Sequence, residues 1–247
     1  MHWVHLVTGT LFCRETVRKV LRQLGHSWKK ARKLLGKACP VRRAEFVEQL
    51  CQLLAQSKQP DAPLVLFCDE AHIHLDTDLG YGWAPVGKRL WVNSYSRSLG
   101  AKVTCFGFYA LDQSEPVQIW PASWANGETT CQMLRRLRLT YPDRPLVLFW
   151  DNVSYHRAVC VRELAAQLEI ELRFLPPYSP DLMPVERLWS WLRQELTYLH
   201  CHVDFQQLTD RIEGFQSRLN DDPSTVHKRL RPKTHLDPEE EKLRFSA

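Results

Sequence analysis

The spacing of apolar residues along the chain changes near residue 60. Within residues 14–24 and 41–56, apolar residues recur every three or four positions, which is the spacing of one helix face. From residue 64 onward, short and wholly apolar runs appear, beginning with LVLFC at 64–68. Such runs are typical of strands that are buried on both faces of a sheet. The chain therefore begins with predicted helices and continues into a predicted sheet.

After residue 100, predicted strands alternate with predicted helices. The apolar runs predict strands at 101–110, 116–120, 146–150 and 171–175. Helical spacing of apolar residues predicts helices at 128–139, 157–168, 185–199 and 205–219. A Pro-rich turn, PPYSPDLMP, lies directly before the third of these helices. This order of elements indicates an α/β fold in which helices cover the faces of a sheet.

Composition divides the chain into three parts. The segment SKQPDAP at 57–63 has the composition of a linker, and we place a domain boundary there. We predict a small helical segment with its linker helix over 1–60 and an α/β domain over 61–220. Residues 221–247 form a charged, proline-interrupted tail, which we expect to be weakly ordered.

Overall composition excludes several classes of protein. Of the 247 residues, 44% are hydrophobic and 25% are charged, which excludes wholesale disorder. No apolar run approaches the ~20 residues that span a bilayer, and the first residues do not resemble a secretion signal. The eight cysteines include no CxxC pair, so we expect reduced thiols, several of them buried, in a cytoplasmic protein.

The net charge of +5 is unevenly distributed. Residues 1–60 contain 12 Lys and Arg against 3 acidic residues, whereas the remainder contains 21 against 25. A basic segment attracts a polyanion and gains free energy from the release of its counterions. We predict DNA contacts for the basic residues on and after the helix at 14–24: Arg14, Arg18, Lys19, Arg22, Lys29 and Lys30. The alternative is a solvated helix face.

Two of the apolar strands end in a carboxylate. The repeated units LVLFC-Asp69 and LVLFW-Asp151 place these acids at the carboxyl edge of the sheet, where open α/β sheets bind ligands. Neighbouring carboxylates repel each other, and a divalent cation relieves that repulsion. Glu186 follows Pro184 in the opening turn of a helix and is a third candidate ligand.

Three oxygen ligands favour Mg²⁺ or Mn²⁺ over Zn²⁺. Two such ions suit phosphoryl transfer, in which water or a 3′-hydroxyl is the nucleophile and no protein nucleophile is needed. The alternative for each aspartate is a helix cap or a turn former. Beside Asp151, we expect Asn152 to orient a metal ligand or a phosphate, and His156 is a candidate for contact with DNA or the scissile phosphate, although its position favours a helix-start histidine. Glu70 is expected to point to the opposite side of the strand from Asp69.

Three segments resemble the signature blocks of the DDE transposases of the Tc/mariner superfamily, and most closely those of its bacterial insertion-sequence branch. The segments are CDEAHIHLDTDLGYGWAPVGKR at 68–89, WDNVSYH at 150–156 and LPPYSPDLMPVERLW at 175–189. The 34 residues between Asp151 and Glu186 are the spacing of that group. The resemblance covers about residues 10–220. It implies an RNase H-like catalytic domain, with a mixed sheet flanked by helices, in which Asp69, Asp151 and Glu186 form the metal-binding triad.

The same resemblance implies a reaction and partners. It implies cleavage of double-stranded DNA at the inverted repeats of transposon ends and strand transfer into target DNA, usually at TA. Pairing of the ends implies a homodimer by analogy, in the cytoplasm with the nucleoid. The alternatives are an RNase H-like nuclease that cuts without integrating and a catalytically inactive DNA-binding remnant.

Two departures from the family pattern lead to further expectations. LFCRETVRKVLRQLGHSWKK at 11–30 resembles the recognition-helix part of the family's second helix-turn-helix or winged-helix subdomain. We expect that the first such subdomain is missing and that 1–60 is an all-α remnant. Met183 stands where the family usually has Asn, and Met cannot cap a helix, so we expect the helix start to be weaker by ~1 kcal/mol.

Overall fold

A computed structural model describes residues 2–29, 35, 37–57, 59, 62–95 and 100–245 of the chain. The chain divides into two compact units, Met1–Leu34 and Leu35–Ala247. In the first unit, helix α1 is His2–Thr8 and helix α2 is Arg14–Gln23. Among the helices described, none combines the length and the apolar composition needed to cross a membrane.

The second unit is built on a five-stranded mixed sheet in the order β3-β2-β1-β4-β5. Its strands are β1 Leu64–His74, β2 Lys102–Ala110, β3 Gln118–Ala122, β4 Leu146–Trp150 and β5 Ile170–Phe174. Strands β1, β4 and β5 run parallel to one another, while β2 and β3 pair antiparallel to their neighbours. The mixed sheet confirms the predicted α/β class.

Helices cover both faces of this sheet. They are α3 Pro40–Gln56, α4 Gly127–Thr140, α5 Val159–Gln167, α6 Val185–Leu196, α7 Phe205–Asp221, α8 Pro223–Leu230 and α9 Pro238–Phe245. Alternate residues of β1 enter different cores because side chains of a strand point to opposite faces. Phe67 packs in the core that contains α3, α6 and α7, whereas Leu66 packs in the core that contains α4 and α5.

Helix α3 belongs to the second unit, and this differs from the boundary expected near residue 60. Phe46 and Leu50 of α3 are buried, and the ring of Phe46 lies 5.3 Å from that of Phe149 on β4. The apolar face of α3 therefore packs on the sheet, and the boundary between the two units lies at Leu34–Leu35. The linker composition at 57–63 marks only the connection from α3 to β1.

The segment after residue 220 is ordered, contrary to the expectation of a weakly ordered tail. It forms α8 and α9, and Val226 and Leu230 of α8 are buried in the core. The charges of α9 are used in ion pairs, because Glu241 lies 3.1 Å from the guanidinium of Arg43 on α3. Helix α9 was not predicted because its sequence is rich in charged residues and because Arg43, the partner of its Glu241, lies far away along the chain.

Arg43 joins three separate parts of the second unit. Its fully buried guanidinium donates hydrogen bonds of 2.9 and 3.0 Å to the two carboxylate oxygens of Asp181, and its Nε donates to Glu241. Lys233 Nζ also donates to Asp181, at 2.6 Å. Burial alone would raise the pKa of Asp181, but the hydrogen bonds from Arg43 and Lys233 hold it well below its usual range. Asp181 lies in the Pro-rich turn before α6, so this network fixes the start of that helix.

Replacement of Arg43 tests this network. We expect Arg43→Gln to lower the free energy of unfolding by about 3 kcal/mol, because it removes a fully buried guanidinium together with its ion pairs to Asp181 and Glu241. Urea unfolding of the variant measures the change. The neighbouring Arg42→Gln is the control, since Arg42 is exposed and its replacement should change the stability by less than ~0.5 kcal/mol. Equal stability of the two variants would contradict the proposed role of Arg43.

Candidate active site

Asp69 and Asp151 lie side by side at the carboxyl ends of two parallel strands. The paired register of β1 and β4 runs to Phe67 opposite Phe149, whose rings stack at 5.0 Å. Each aspartate lies two residues beyond one of these phenylalanines and therefore on the same face of the sheet. The sequence predicted this arrangement from the two apolar runs that each end in Asp.

Glu186 reaches the same place from helix α6. The helix begins at Val185 and packs by its buried face on the core that contains Phe67 and Phe149. A cavity of about 150 Å³ is lined by the three carboxylates together with Asn152, Leu175, Pro176, Ser179, Pro180 and Met183. The structure thus brings the three predicted acids to one cavity, and none of these lining residues is basic.

The start of α6 shows the consequence of Met183. Pro184 occupies the cap position, and no side chain makes a capping hydrogen bond there, as Met183 led us to expect. Val185 and Leu188 are nevertheless fully buried, so packing holds the first turn in place. The missing cap does not displace Glu186 from the cavity.

The negative charge in this cavity is only partly compensated by the protein. Burial, reinforced by the charges of Glu186, Glu70 and Asp151, raises the pKa of Asp69 to about 8. Burial also raises the pKa of Glu186; nearby Arg193 opposes this effect and the charge of Asp151 adds to it. Clustered carboxyl oxygens that resist ionisation are a donor set that suits a hard divalent cation.

Protein donors hold one oxygen of each aspartate. Asp69 Oδ2 accepts a 3.0 Å hydrogen bond from Trp189 Nε1. Asp151 Oδ1 accepts hydrogen bonds from His156 Nδ1 at 2.9 Å and from the backbone N–H of Val153 at 3.1 Å. Within the described residues, no three His, Cys, Asp or Glu side chains already converge as metal ligands. The two aspartates are instead turned toward these donors.

His156 is a buried cation between two carboxylates. Its imidazole is fully buried, and its Nε2 donates to Glu70 Oε1 at 2.7 Å while its Nδ1 donates to Asp151. Burial alone would lower the pKa of His156, but the hydrogen bonds and charges of Asp151 and Glu70 raise it to about 9. Burial likewise favours a high pKa for Asp151, yet the hydrogen bond from His156 lowers it. An imidazolium at neutral pH therefore keeps Asp151 ionised.

Glu70 is a residue of the site to which sequence analysis assigned no role. As expected for the next residue of a strand, its side chain lies on the opposite face of β1 from that of Asp69. His156 reaches that face because it follows β4 in the short 3-10 helix Ser154–Arg157 and packs on Trp150, with ring centroids 4.0 Å apart. The signal was present as an Asp-Glu pair at one strand end and a His five residues after the second Asp.

Asn152 borders the cavity and closes the loop after β4. Its side-chain amide donates a hydrogen bond to the backbone carbonyl of Leu175, which follows β5. The loop that carries Asp151 and His156 is thereby tied to the neighbouring strand. Asn152 lines the same cavity as the triad, where the sequence predicted it.

Gly107 and Trp189 form a second support that the sequence did not reveal. Trp189 lies three residues after Glu186 on α6, and Gly107 on β2 pairs with Asp69 on β1. A Cβ atom at Gly107 would stand 2.6 Å from two carbon atoms of the Trp189 indole. The absence of a side chain at Gly107 thus admits the indole that donates to Asp69.

The predicted DNA-binding residues lie in the first unit. Arg14, Lys19, Arg22 and Lys29 are exposed, as contact with phosphates requires. Arg18 is exposed but is hydrogen-bonded to Glu15 on the same helix, which neutralises part of its charge. Lys30 lies outside the described residues. All eight cysteines are free thiols, and Cys68, Cys105 and Cys131 are buried, as expected.

The chain is similar to known proteins both in sequence and in structure. A family model described as "DDE superfamily endonuclease" matches residues 64–209. The chain is 26% identical over 241 residues to the "Insertion element IS630 uncharacterized 39 kDa protein" of Shigella sonnei. That alignment covers 91% of the chain and 64% of the relative, so the chain spans less than two thirds of that protein.

Among solved structures, the chain is similar to complexes of the Mos1 transposase. A pre-cleavage Mos1 transpososome matches with a TM-score of 0.65 and 18% identity, over 94% of this chain and 70% of that one. The Mos1 mariner paired end complex with Mn matches with a TM-score of 0.63 and 16% identity, over 88% and 68%. With the mixed sheet, this likeness confirms the predicted RNase H-like fold.

Replacement of Gly107 tests the packing of Trp189. We expect Gly107→Ala to lower the free energy of unfolding by about 2 kcal/mol, because a rigid buried indole must shift. In the Trp189→Leu background, Gly107→Ala should lower the free energy of unfolding by less, because the clashing indole is absent. Gly214→Ala in α7 is the control, because a Cβ there meets nothing closer than 3.9 Å. Its free energy of unfolding should rise by about 0.5 to 1 kcal/mol. If urea unfolding shows Gly107→Ala to be as stable as Gly214→Ala, the predicted clash between a Cβ at residue 107 and the Trp189 indole is wrong.

Proposed function

The chain belongs to the DDE superfamily endonuclease family, and we propose that it is a transposase that cuts DNA at transposon ends and transfers the freed strand to target DNA. The observation that carries the proposal is the cavity at the carboxyl ends of β1 and β4, where Asp69, Asp151 and Glu186 meet. RNase H-like nuclease activity without integration is the second candidate, because the same three carboxylates would serve it.

We propose that the three carboxylates hold Mg²⁺ or Mn²⁺, as two ions. The raised pKa of Asp69, about 8, supports this choice, because buried carboxyl groups crowded together gain most from a divalent cation. When bound, such ions supply Lewis-acid chemistry for in-line phosphoryl transfer. The Mos1 paired end complex with Mn agrees with this choice of metal.

In this proposal, the residues of the chain position the reactants. Trp189 and His156 each hold one oxygen of Asp69 and Asp151, the other oxygens would bind the cation, and Glu186 would complete the set from α6. Water is the first nucleophile, and the 3′-hydroxyl that it frees is the second. Both reactions use the same site, and neither needs a nucleophilic side chain.

Recognition of DNA is proposed for the first unit. The exposed cations Arg14, Lys19, Arg22 and Lys29 suit the phosphates of the inverted repeats, and Arg18 and Lys30 are proposed with them. We propose target insertion at TA, action on paired ends as a homodimer, and a location in the cytoplasm with the nucleoid. The paired end and pre-cleavage complexes of Mos1 support the pairing of ends.

We further propose that Glu70 and His156 position Asp151. Glu70 accepts from one nitrogen of the buried imidazole, which fixes the ring so that its other nitrogen donates to Asp151 Oδ1. Such support of a metal ligand typically contributes 10- to 100-fold in metal affinity or activity. Asn152 contributes by holding the same loop against Leu175.

The triad is tested by single isosteric replacements. We expect Asp69→Asn, Asp151→Asn and Glu186→Gln each to abolish Mn²⁺-dependent cleavage of labelled DNA that carries the repeats flanking the gene. Each replacement removes one anionic ligand while keeping the size of the side chain. Exposed Asp143→Asn is the control and should cleave as the unmodified protein does.

The products of the same assay separate the alternatives. Molecules in which donor and target DNA are joined identify a transposase, whereas cut donor without joined product identifies a nuclease. Cleavage by Asp151→Asn at the unmodified rate would refute the triad. An inactive DNA-binding remnant would show no cleavage and a DNA affinity that is insensitive to Mg²⁺ and to Asp151→Asn.

The support of Asp151 is tested through the metal dependence. We expect Glu70→Gln to raise the Mn²⁺ concentration for half-maximal cleavage about tenfold, and Glu70→Ala to raise it further, because Gln still accepts from His156. Isothermal titration of the EDTA-treated protein with Mn²⁺ should show the same order of affinities. Exposed Glu163→Gln is the matched control. If Glu70→Ala binds Mn²⁺ as tightly as the unmodified protein, Glu70 does not position Asp151 for metal binding.

A further inference from the structure

A second cavity adjoins the acidic one. It has a volume of about 260 Å³, and Asn152, Leu175 and Pro176 line both cavities. Its remaining wall is formed by α3, by the end of β5 and by the 3-10 helix after β4. A chain-like ligand that occupies the acidic cavity therefore has a neighbouring place to enter without leaving the surface of the second unit.

The two cavities carry opposite charges. Among the residues that the structure describes, three carboxylates and no basic side chain line the first, whereas Arg42 and Arg157 line the second together with one acidic residue, Glu45. The second cavity thus has two guanidinium groups against one carboxylate. Gln49 adds an uncharged hydrogen-bonding group.

The two cations are attached to parts of the fold that are held in place. The guanidinium of Arg157 lies 5.3 Å from the ring centroid of Phe174, a cation–π contact with the last residue of β5. Arg42 precedes Arg43 on α3, and the buried bonds of Arg43 fix that helix to the turn before α6. Their positions relative to the acidic cavity are therefore set by the core.

We propose that this cavity binds a DNA backbone phosphate next to the phosphodiester that reacts in the acidic cavity. The proposal rests on the proposed function, because it assumes that a DNA strand enters the acidic cavity. Each strand of a duplex carries one phosphate per ~3.4 Å of axis, so a phosphate that flanks the reacting phosphodiester lies within reach of an adjoining cavity. Guanidinium groups bind phosphate by paired hydrogen bonds, and they neutralise a charge that the triad would repel.

The first experiment measures DNA binding without catalysis. Fluorescence anisotropy of labelled duplex DNA with the full chain in EDTA gives the affinity at a series of salt concentrations. We expect Arg42→Gln and Arg157→Gln each to reduce the salt dependence by about one released counterion, uniformly across DNA sequences. Arg162→Gln, which removes an exposed arginine of α5 outside the cavity, should leave this slope unchanged.

The second experiment identifies the phosphate. Single uncharged methylphosphonates are placed at each phosphate around the cleaved bond, and the KM for cleavage is measured for every substrate. With the unmodified protein, one neutralised neighbour of the cleaved phosphate should raise KM about tenfold, the loss expected for one contact at ~0.1 M salt. With Arg42→Gln/Arg157→Gln, the same methylphosphonate should have no further effect.

The outcomes separate this proposal from the proposed function. Salt slopes of Arg42→Gln and Arg157→Gln equal to that of Arg162→Gln would overturn the phosphate site even if the triad variants abolish cleavage. Additive effects of the methylphosphonate and the double variant would overturn it as well. A reduced salt slope together with cleavage that survives Asp151→Asn would instead support the phosphate site and refute the triad.

Discussion

The repulsion between the clustered carboxylates of the acidic cavity is the constraint on which the rest of the structure depends. Parallel pairing of β1 and β4 brings Asp69 and Asp151 together, and α6 adds Glu186 at the same cavity. The protein neutralises part of this charge with the imidazolium of His156 and hydrogen-bonds Asp69 to the indole of Trp189. The rest of this charge is left without a protein cation among the described residues that line the cavity, which is the arrangement from which the metal site is proposed.

The neighbouring elements hold these charges in position from several directions. Trp189 reaches Asp69 only because Gly107 has no side chain, so strand β2 helps to define the site although it carries none of its acids. Arg43 holds the turn before α6 from the opposite side through Asp181. Glu186 therefore owes its place to packing and ion pairs, and this explains why the loss of a helix cap at Met183 is tolerated.

The sequence revealed those parts of the site that lie in local patterns. Two apolar runs that each end in Asp predicted the strands and both acids, and Pro184 predicted the start of α6. The supports depend on partners far apart along the chain, and periodicity does not identify them. Glu70 and His156 are 86 residues apart, and Arg43 and Asp181 are 138 apart. Helix α9 was missed for the same reason, since its charges suggest solvent unless Arg43 is known to be buried beneath them.

The ion pair between Arg43 and Glu241 has a consequence for biosynthesis. Its partners are separated by 198 residues, so Arg43 leaves the ribosome long before Glu241 is translated. Until then, the guanidinium that fixes the turn before α6 has only part of its set of carboxylates. The network that holds the turn before α6 is therefore complete only after residue 241 has been translated. A nascent chain that does not yet include α9 thus lacks one of the carboxylates that hold Arg43, and through Arg43 the turn that precedes Glu186.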